Sequence, residues 1–296
     1  VRVGRLWLTD FRNYTEATVE PAPDGLTVIV GGNGQGKTNI LEAVGYLATM
    51  QSFRGAPTAA LVRSECTRAV VRAEGERADR RLLVEVELHA VGRDRAFLNR
   101  QPLRRARDLL GALRVTVFSP DDLVLVKGGP TERRRLLDDL LVARHARNDR
   151  LLADFDKVLR QRNRLLKQAA GQMRADVTAT LDVWDSQLVA LGGELAFARA
   201  ELVAELEPEV GKAYGHVAAA SGEVALAYVT SWEGDLAAAV AASRRDDVRR
   251  GLTLVGPHRD DLAIELAGLP ARTHASQGEQ RSLALALRLA GHRVIA

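Results

Sequence analysis

Eight residues, Gly31-Gly32-Asn33-Gly34-Gln35-Gly36-Lys37-Thr38, constrain this chain more than any other stretch, because they fit GxxxxGK[ST] and stand between an apolar run and a helical one. Leu26 to Val30 (LTVIV) reads as a short strand buried on both faces, and from Thr38 to Thr49 the spacing of Ile40, Leu41, Val44 and Leu47 predicts a helix burying one side. Between such elements, glycines let successive backbone N–H groups face one concavity, and the helix that opens there adds its positive end. That is a seat for phosphate. Lys37 is placed to reach the β and γ phosphates of a nucleotide, and the Thr38 hydroxyl to ligate Mg2+.

Composition narrows the class around that loop. Of 296 residues 46% are hydrophobic and 27% charged, enough to bury a core, which excludes disorder and a disulfide scaffold. No stretch approaches the roughly 18 consecutive apolar residues of a membrane span. Arg2, Arg5 and Asp10 break any leader-like apolar run, and the single cysteine, Cys66, has no internal partner, so a cytoplasmic location is the expectation. Charge is uneven: residues 93–167 carry 19 Lys and Arg against 10 Asp and Glu, and the rest of the chain 23 against 28. A concentrated basic segment favours a polyanionic partner, although solvated Arg-rich helix faces produce the same count.

Strands are expected at Arg2 to Phe11 and Thr15 to Glu20, before a turn at 21–25, and an antiparallel set at 67–99. From Arg104 the pattern turns helical, broken by a short strand at 115–120 and restarting at Asp121 and Asp122. A helix covers Leu151 to Lys167; in the next, Leu181, Trp184, Leu188, Leu191, Leu195, Ala198 and Leu202 recur at alternating steps of three and four, a narrow seam. The link at 169–175 holds Gly171, so the two fold back as a hairpin, either a projecting arm or part of an ordinary helical subdomain. Strands at 223–228, 252–255 and 262–266, a helix at 235–250 and a last helix from Gly278 to about His292 complete the chain.

Just before that last helix stands Ser276-Gln277-Gly278-Glu279-Gln280, where Ser276 with Glu279 three residues on makes a capping box. The chain also carries FRNY (Phe11 to Tyr14), Asn33 and Asn39 in GGNGQGKTN, and SFR at 52–54. Together these resemble ATPases of the ABC/SMC class, in which a serine-containing signature on one subunit completes the nucleotide site of another. FSPDDLVLVKGGPTERRRLLDDLL at 118–141, RQRNRLLK at 160–167, VGPHRDDL at 255–262 and ASQGEQRSLALALRLA at 275–290 run in the same order as in the RecF family of bacterial DNA replication and repair proteins, to which the chain is similar almost throughout.

The resemblance implies an α/β fold: an ABC-type P-loop ATPase head, with a mixed sheet and an antiparallel N-terminal layer, formed by 1–103 and 251–296, plus a largely helical second lobe at 104–250 with a helical hairpin. It implies ATP and Mg2+, an ATP-dependent homodimer, weak ATP hydrolysis, binding of single-stranded, gapped or duplex DNA, and help to RecA loading with RecO and RecR in the SOS response. By position, the main chain of Asn33 to Gly36 cradles the phosphates, Gly31, Gly32, Gln35 and Asn39 complete the loop, Arg12 approaches the nucleotide, and Ser276 meets the γ-phosphate held by the opposite subunit, with Gly278 allowing close approach. The class also uses a second strand ending in acidic residues after the signature helix. No apolar run ending in paired acids follows Gly278, and Asp138-Asp139 lie in a helical pattern, so the resemblance implies a sequence truncated before that strand and leaves hydrolysis by this chain open.

For DNA the candidates are Arg104, Arg105 and Arg107, then Arg133, Arg134 and Arg135, with Arg100, Arg160, Arg162, Arg164 and Lys167 beside them. His258 and Arg259 face either the nucleotide or the lobe interface, and a structural histidine–carboxylate pair fits the pattern at least as well. The alternatives are another SMC-like head, an ABC transporter ATP-binding subunit, or a small-molecule P-loop kinase, which would leave SQGEQ and the hairpin without a role.

Overall fold

In the computed structural model, residues 2–77, 80–218 and 222–295 are described, and they divide into two compact units, 1–117 and 118–296.

The first unit holds β1 (Arg2–Phe11), β2 (Tyr14–Val19), α1 (Lys37–Thr49), β3 (Arg68–Arg77), β4 (Arg80–His89), β5 (Arg95–Leu98) and β6 (Gln101–Pro102). The strands form one antiparallel sheet in the order β2-β1-β3-β4-β5-β6. Alternation decides which face is inside: Leu6 and Leu8 of β1, Ala69, Val71 and Ala73 of β3, and Val84, Val86 and Leu88 of β4 are buried. Against them α1 lays Ile40, Ala43, Tyr46 and Leu47; of the stripe that the spacing predicts, Ile40 and Leu47 are buried, Val44 is half-buried and Leu41 is 50% exposed, so the buried face is turned toward Ala43 and Tyr46.

The second unit holds α2 (Val124–Lys127), α3 (Pro130–Arg144), α4 (Arg147–Ala169), α5 (Ala175–Val217), β7 (Val224–Val229), α6 (Leu236–Arg250), β8 (Asp261–Leu266), β9 (Leu269–Pro270), α7 (Ala271–His274) and α8 (Gln277–Ile295). Helix α5 is 43 residues long, about 65 Å at 1.5 Å per residue. Its seam is real: Leu181, Leu188, Leu195 and Leu202 are fully buried. Helices α4 and α5 form the expected hairpin through Ala170 and Gly171, both at positive φ. The hairpin is no bare arm, because Val248 of α6 closes over Leu166, Ala169, Val177 and Leu181 at the turn end.

Several expectations are corrected. Leu26 to Val30 forms no strand; Leu26, Val28 and Val30 are 83%, 66% and 83% exposed, because no described strand lies alongside to accept their ladder. Residues 115–120 and 252–255 form none either. At 252–255 side chains take the backbone donors a ladder would use: Asn163 Oδ1 accepts from Thr253 N (2.8 Å) and Asp247 Oδ1 from Leu254 N (3.0 Å). Residues 104–117 contain only a short 3-10 turn at 106–109 and belong to the first unit. Residues 251–296, grouped with 1–103 from the sequence, pack within the second unit: Leu283 and Leu287 of α8 share a core with Leu206 and Val210 of α5. Every named ladder is antiparallel, in the three-stranded β7-β8-β9 sheet as in the larger one.

Candidate functional site

The glycine-rich loop and the first turn of α1 border a concavity of about 630 Å3, walled by Arg12, Asn13, Asn39, Arg54 and the segment at 60–64. The first bond into the helix is made by Asn39 N–H to Gly36 O (2.8 Å), so the amides of Lys37 and Thr38 precede the helical ladder. Lys37 Nζ donates to Gly31 O (2.8 Å) and Gly32 O (2.7 Å), which holds its ammonium over the loop. Thr38 is exposed in the first turn, and its hydroxyl has no hydrogen-bond partner among the described residues.

What shapes the loop is a clamp built by three separate motifs. Gly36 sits at φ 96°, and a Cβ there would lie 2.6–2.9 Å from Asn13 and the Tyr14 hydroxyl, so only glycine fits under FRNY. Asn13 Nδ2 donates to Gln35 O (3.3 Å) and accepts at Oδ1 from Asn39 Nδ2 (2.8 Å); Asn39 Oδ1 in turn accepts from Arg54 Nη1 (3.1 Å). Behind them stands Glu42, fully buried. It accepts from Arg12 Nε (2.8 Å), Arg12 Nη2 (2.7 Å) and the Ser52 hydroxyl (2.5 Å), with Arg54 at 3.7 Å. Burial pushes the Glu42 carboxyl up, but hydrogen bonds from Arg12 and Ser52 and the charges of Arg12 and Arg54 outweigh it and hold the pKa below the ordinary value.

Arg12 therefore reaches the concavity with its guanidinium already engaged by Glu42 and by Ala60 O (3.0 Å). Glu42 itself escaped the sequence reading. The signal was present: an acid on the same helical face as Ile40, Ala43 and Tyr46, where an unpaired charge is too costly to keep.

In the second unit, Ser276 N donates to Glu279 Oε2 (2.7 Å) and Glu279 N to Ser276 Oγ (3.3 Å), a capping box at the head of α8. Gln280 is buried, its Nε2 donating to Ala275 O (2.9 Å). Ser276, Gln277 and Gly278 are exposed, and a Cβ on Gly278 would meet open space. The five residues thus divide into an anchored pair and an exposed trio.

The arginines predicted for DNA separate in the same way. Arg133 is corrected: it is buried, its fork bonded to both oxygens of Asp261 (2.7 and 2.8 Å), so it presents no charge to a polyanion. Arg162 is likewise fully buried, between Asp185 (2.7 Å) and Asp247 (2.8 Å). Arg134 donates to Asp260 O (2.6 Å), and burial, then the charge of Arg199, lowers its pKa. Arg104, Arg105, Arg107 and Arg135 are exposed. His258 is structural, but among the described residues it pairs with no carboxylate: its Nε2 lies 3.1 Å from Thr253 O, and burial depresses its pKa to about 4. Asp138 meets Arg199 (2.7 Å), as suits a helix-face acid.

With this geometry established, comparison with known proteins is decisive. The RecF/RecN/SMC N terminal domain family matches residues 2–295. DNA replication and repair protein RecF of Streptomyces avermitilis is 46% identical over all of this chain and 83% of the relative, and that of Frankia alni 47% identical over all of the chain and 82% of the relative. The chain belongs to the RecF family. Among solved structures, the recombination mediator protein RecF-ATPrS in the RecFOR pathway superposes with a TM-score of 0.91 at 26% identity, covering 99% of this chain and 81% of that one. A Pyrococcus furiosus Smc head domain, at TM-score 0.53 and 17% identity over 99% of this chain and 79% of that one, shares the fold alone. The RecF family and the SMC-like ATPase head fold are therefore those of this chain. No helix among the described residues is long and apolar enough to cross a membrane.

Proposed function

We propose that this chain binds ATP at Gly31 to Thr38 and uses it to bring two copies together on DNA during repair of gapped or stalled DNA. The observation that carries the reading is the clamp on the loop: FRNY, Asn39, Glu42 and SFR hold the backbone around Gly36 beside the concavity that Lys37 and Thr38 line, with the amides of both ahead of the first helical bond. Those amides, with Lys37, suit the phosphates of a nucleotide, and the exposed Thr38 hydroxyl suits Mg2+, which keeps most of its oxygen ligands from water and phosphate. A bound Mg2+ supplies charge neutralisation between the phosphates; this chain's residues orient them.

The exposed Ser276, Gln277 and Gly278 fit the role of a signature offered to a nucleotide held by a second copy, because the capping box points the serine outward while Gln280 ties the turn down. Family membership supports DNA, RecR and RecO as partners, RecA loading as the outcome, and a place in the RecFOR pathway and the SOS response.

Anisotropy of labelled gapped and duplex DNA, with and without Mg-ATP, tests this. ATP should tighten DNA binding, Lys37→Ala should abolish the gain, and Ser276→Arg should remove it while sparing nucleotide binding. Six phosphate contacts would give a log–log salt slope of about −5 on duplex DNA; affinity indifferent to salt sinks the DNA reading.

A further inference from the structure

Several arginines of the first unit are matched to carboxylates: Arg5 to Glu20, Arg12 and Arg54 to Glu42, Arg63 to Asp10, Arg68 to Glu87 and Arg72 to Glu85. Arg93, Arg95, Arg104 and Arg105 are not. All four are exposed, and among the described residues none has a side-chain hydrogen bond or ion pair. They come from two stretches, the β4–β5 turn with the start of β5 and the segment after β6, and they line one concavity of about 750 Å3. The carboxylate in that lining, Asp94, is turned to the backbone, accepting from His89 N (3.0 Å). His89 lines the same concavity, and its Nε2 is buried without a hydrogen-bond partner, the Glu87 carboxylate lying 4.0 Å away. Four unneutralised guanidiniums and an orphaned imidazole nitrogen around one hollow are costly in mutual repulsion unless an anion is met there.

We propose that this concavity seats the sugar-phosphate backbone of DNA, with Arg93 and Arg95 as positioning contacts beside Arg104 and Arg105. The inference rests on the DNA reading above and narrows it from a basic segment to one surface of the first unit. A nucleic-acid backbone fits better than a free nucleotide because the apolar lining is Val91, Leu103 and Ala106, with no Phe, Tyr or Trp among the lining residues on which a base could stack. Forked donors that read phosphate but no base edge position a duplex without choosing its sequence.

The test is duplex-DNA anisotropy against salt for the full chain, Arg93→Ala with Arg95→Ala, Arg104→Ala with Arg105→Ala, and a control, Arg174→Ala with Arg249→Ala, whose side chains are 57% and 69% exposed and lie against Asp176 and Asp246. Each concavity pair should weaken binding at least about tenfold and flatten the log–log salt slope by about 1 to 2, while the control changes neither. Arg93→Lys with Arg95→Lys should restore most of the slope, and nucleotide binding at the loop, unchanged in every variant, reports that the unit is folded. Retention of affinity and slope by both concavity pairs, or an equal loss in the control, overturns the assignment while the DNA reading stands. Failure of the unaltered chain to bind DNA overturns both. Polyglutamate displacing the duplex as well as unlabelled DNA does at equal charge overturns the choice of nucleic acid over an acidic polypeptide.

Discussion

A methyl group at Gly36 would have to occupy space already filled by Asn13 and Tyr14, at a φ of 96° that side chains resist by about 1–2 kcal/mol. Gly36→Ala should therefore weaken nucleotide binding by at least about tenfold, measured by titration of a fluorescent ATP analogue, while the thermal midpoint drops only modestly. Glu42 acts from the other side of the clamp. Glu42→Ala strands the Arg12 guanidinium and the Ser52 hydroxyl, a loss on the order of 3 kcal/mol in chemical denaturation. Because its carboxyl titrates below the ordinary 4.5, the stability Glu42 contributes is fully present above that pH and fades as pH falls below it. Buried His258 adds a second dependence higher up. Its pKa falls from 6.5 to about 4, so the unfolded chain binds the extra proton between those values and stability declines as pH drops through them. His258→Gln should flatten the stability curve between pH 6.5 and 4, read by urea midpoints at stepped pH.

Helices α4, α5 and α6 meet through one buried cation. Arg162 of α4 bonds Asp185 of α5, Asp247 of α6 and the Thr253 hydroxyl, so a single planar fork registers three elements at once. Arg162→Ala should cost about 3–5 kcal/mol, and Arg162→Lys should recover little, because an ammonium cannot span three acceptors in fixed directions. Global unfolding monitored by helical circular dichroism decides it. The seven-residue seam of α5 showed in the sequence because Leu181, Leu188, Leu195 and Leu202 repeat regularly. The charged register did not show: Arg162 stands in an Arg-rich run indistinguishable from a solvated face, and its acceptors lie 23, 85 and 91 positions away. The same blindness affected Arg133, whose partner Asp261 is 128 residues on.

For the whole chain, nucleotide binding and folding are linked. A ligand at about one hundred times its Kd stabilises the folded state by about 2.7 kcal/mol. The three tryptophans divide between the units, Trp7 in the first and Trp184 and Trp232 in the second. In a variant carrying Trp184→Phe and Trp232→Phe, the Trp7 unfolding transition should move up with Mg-ATP, and Lys37→Ala should erase that shift. An unmoved transition at saturating nucleotide would contradict binding at the loop. Sedimentation of the same samples checks the two-copy arrangement, which Ser276→Arg should disrupt without altering the Trp7 shift at low protein concentration.

Local spacing carried the glycine-rich turn into α1, the alternating strands of the large sheet, the α5 seam and the Ser276 capping box, since each is set by residues within a few positions of one another, while in α1 it found the helix and turned its buried face too far toward Leu41. The family was legible separately, as a resemblance carried by motifs that are short and ordered. Leu26 to Val30 marks where such reasoning stops: an apolar run describes a strand's readiness to be buried, and pairing requires a neighbour that the run does not encode. Glu42 under the loop, Arg162 between three helices and the four unmatched arginines at one hollow depend on which distant side chains are brought within hydrogen-bond reach. Coulombic and hydrogen-bond partners are chosen through space, and that choice exists only once the chain has packed.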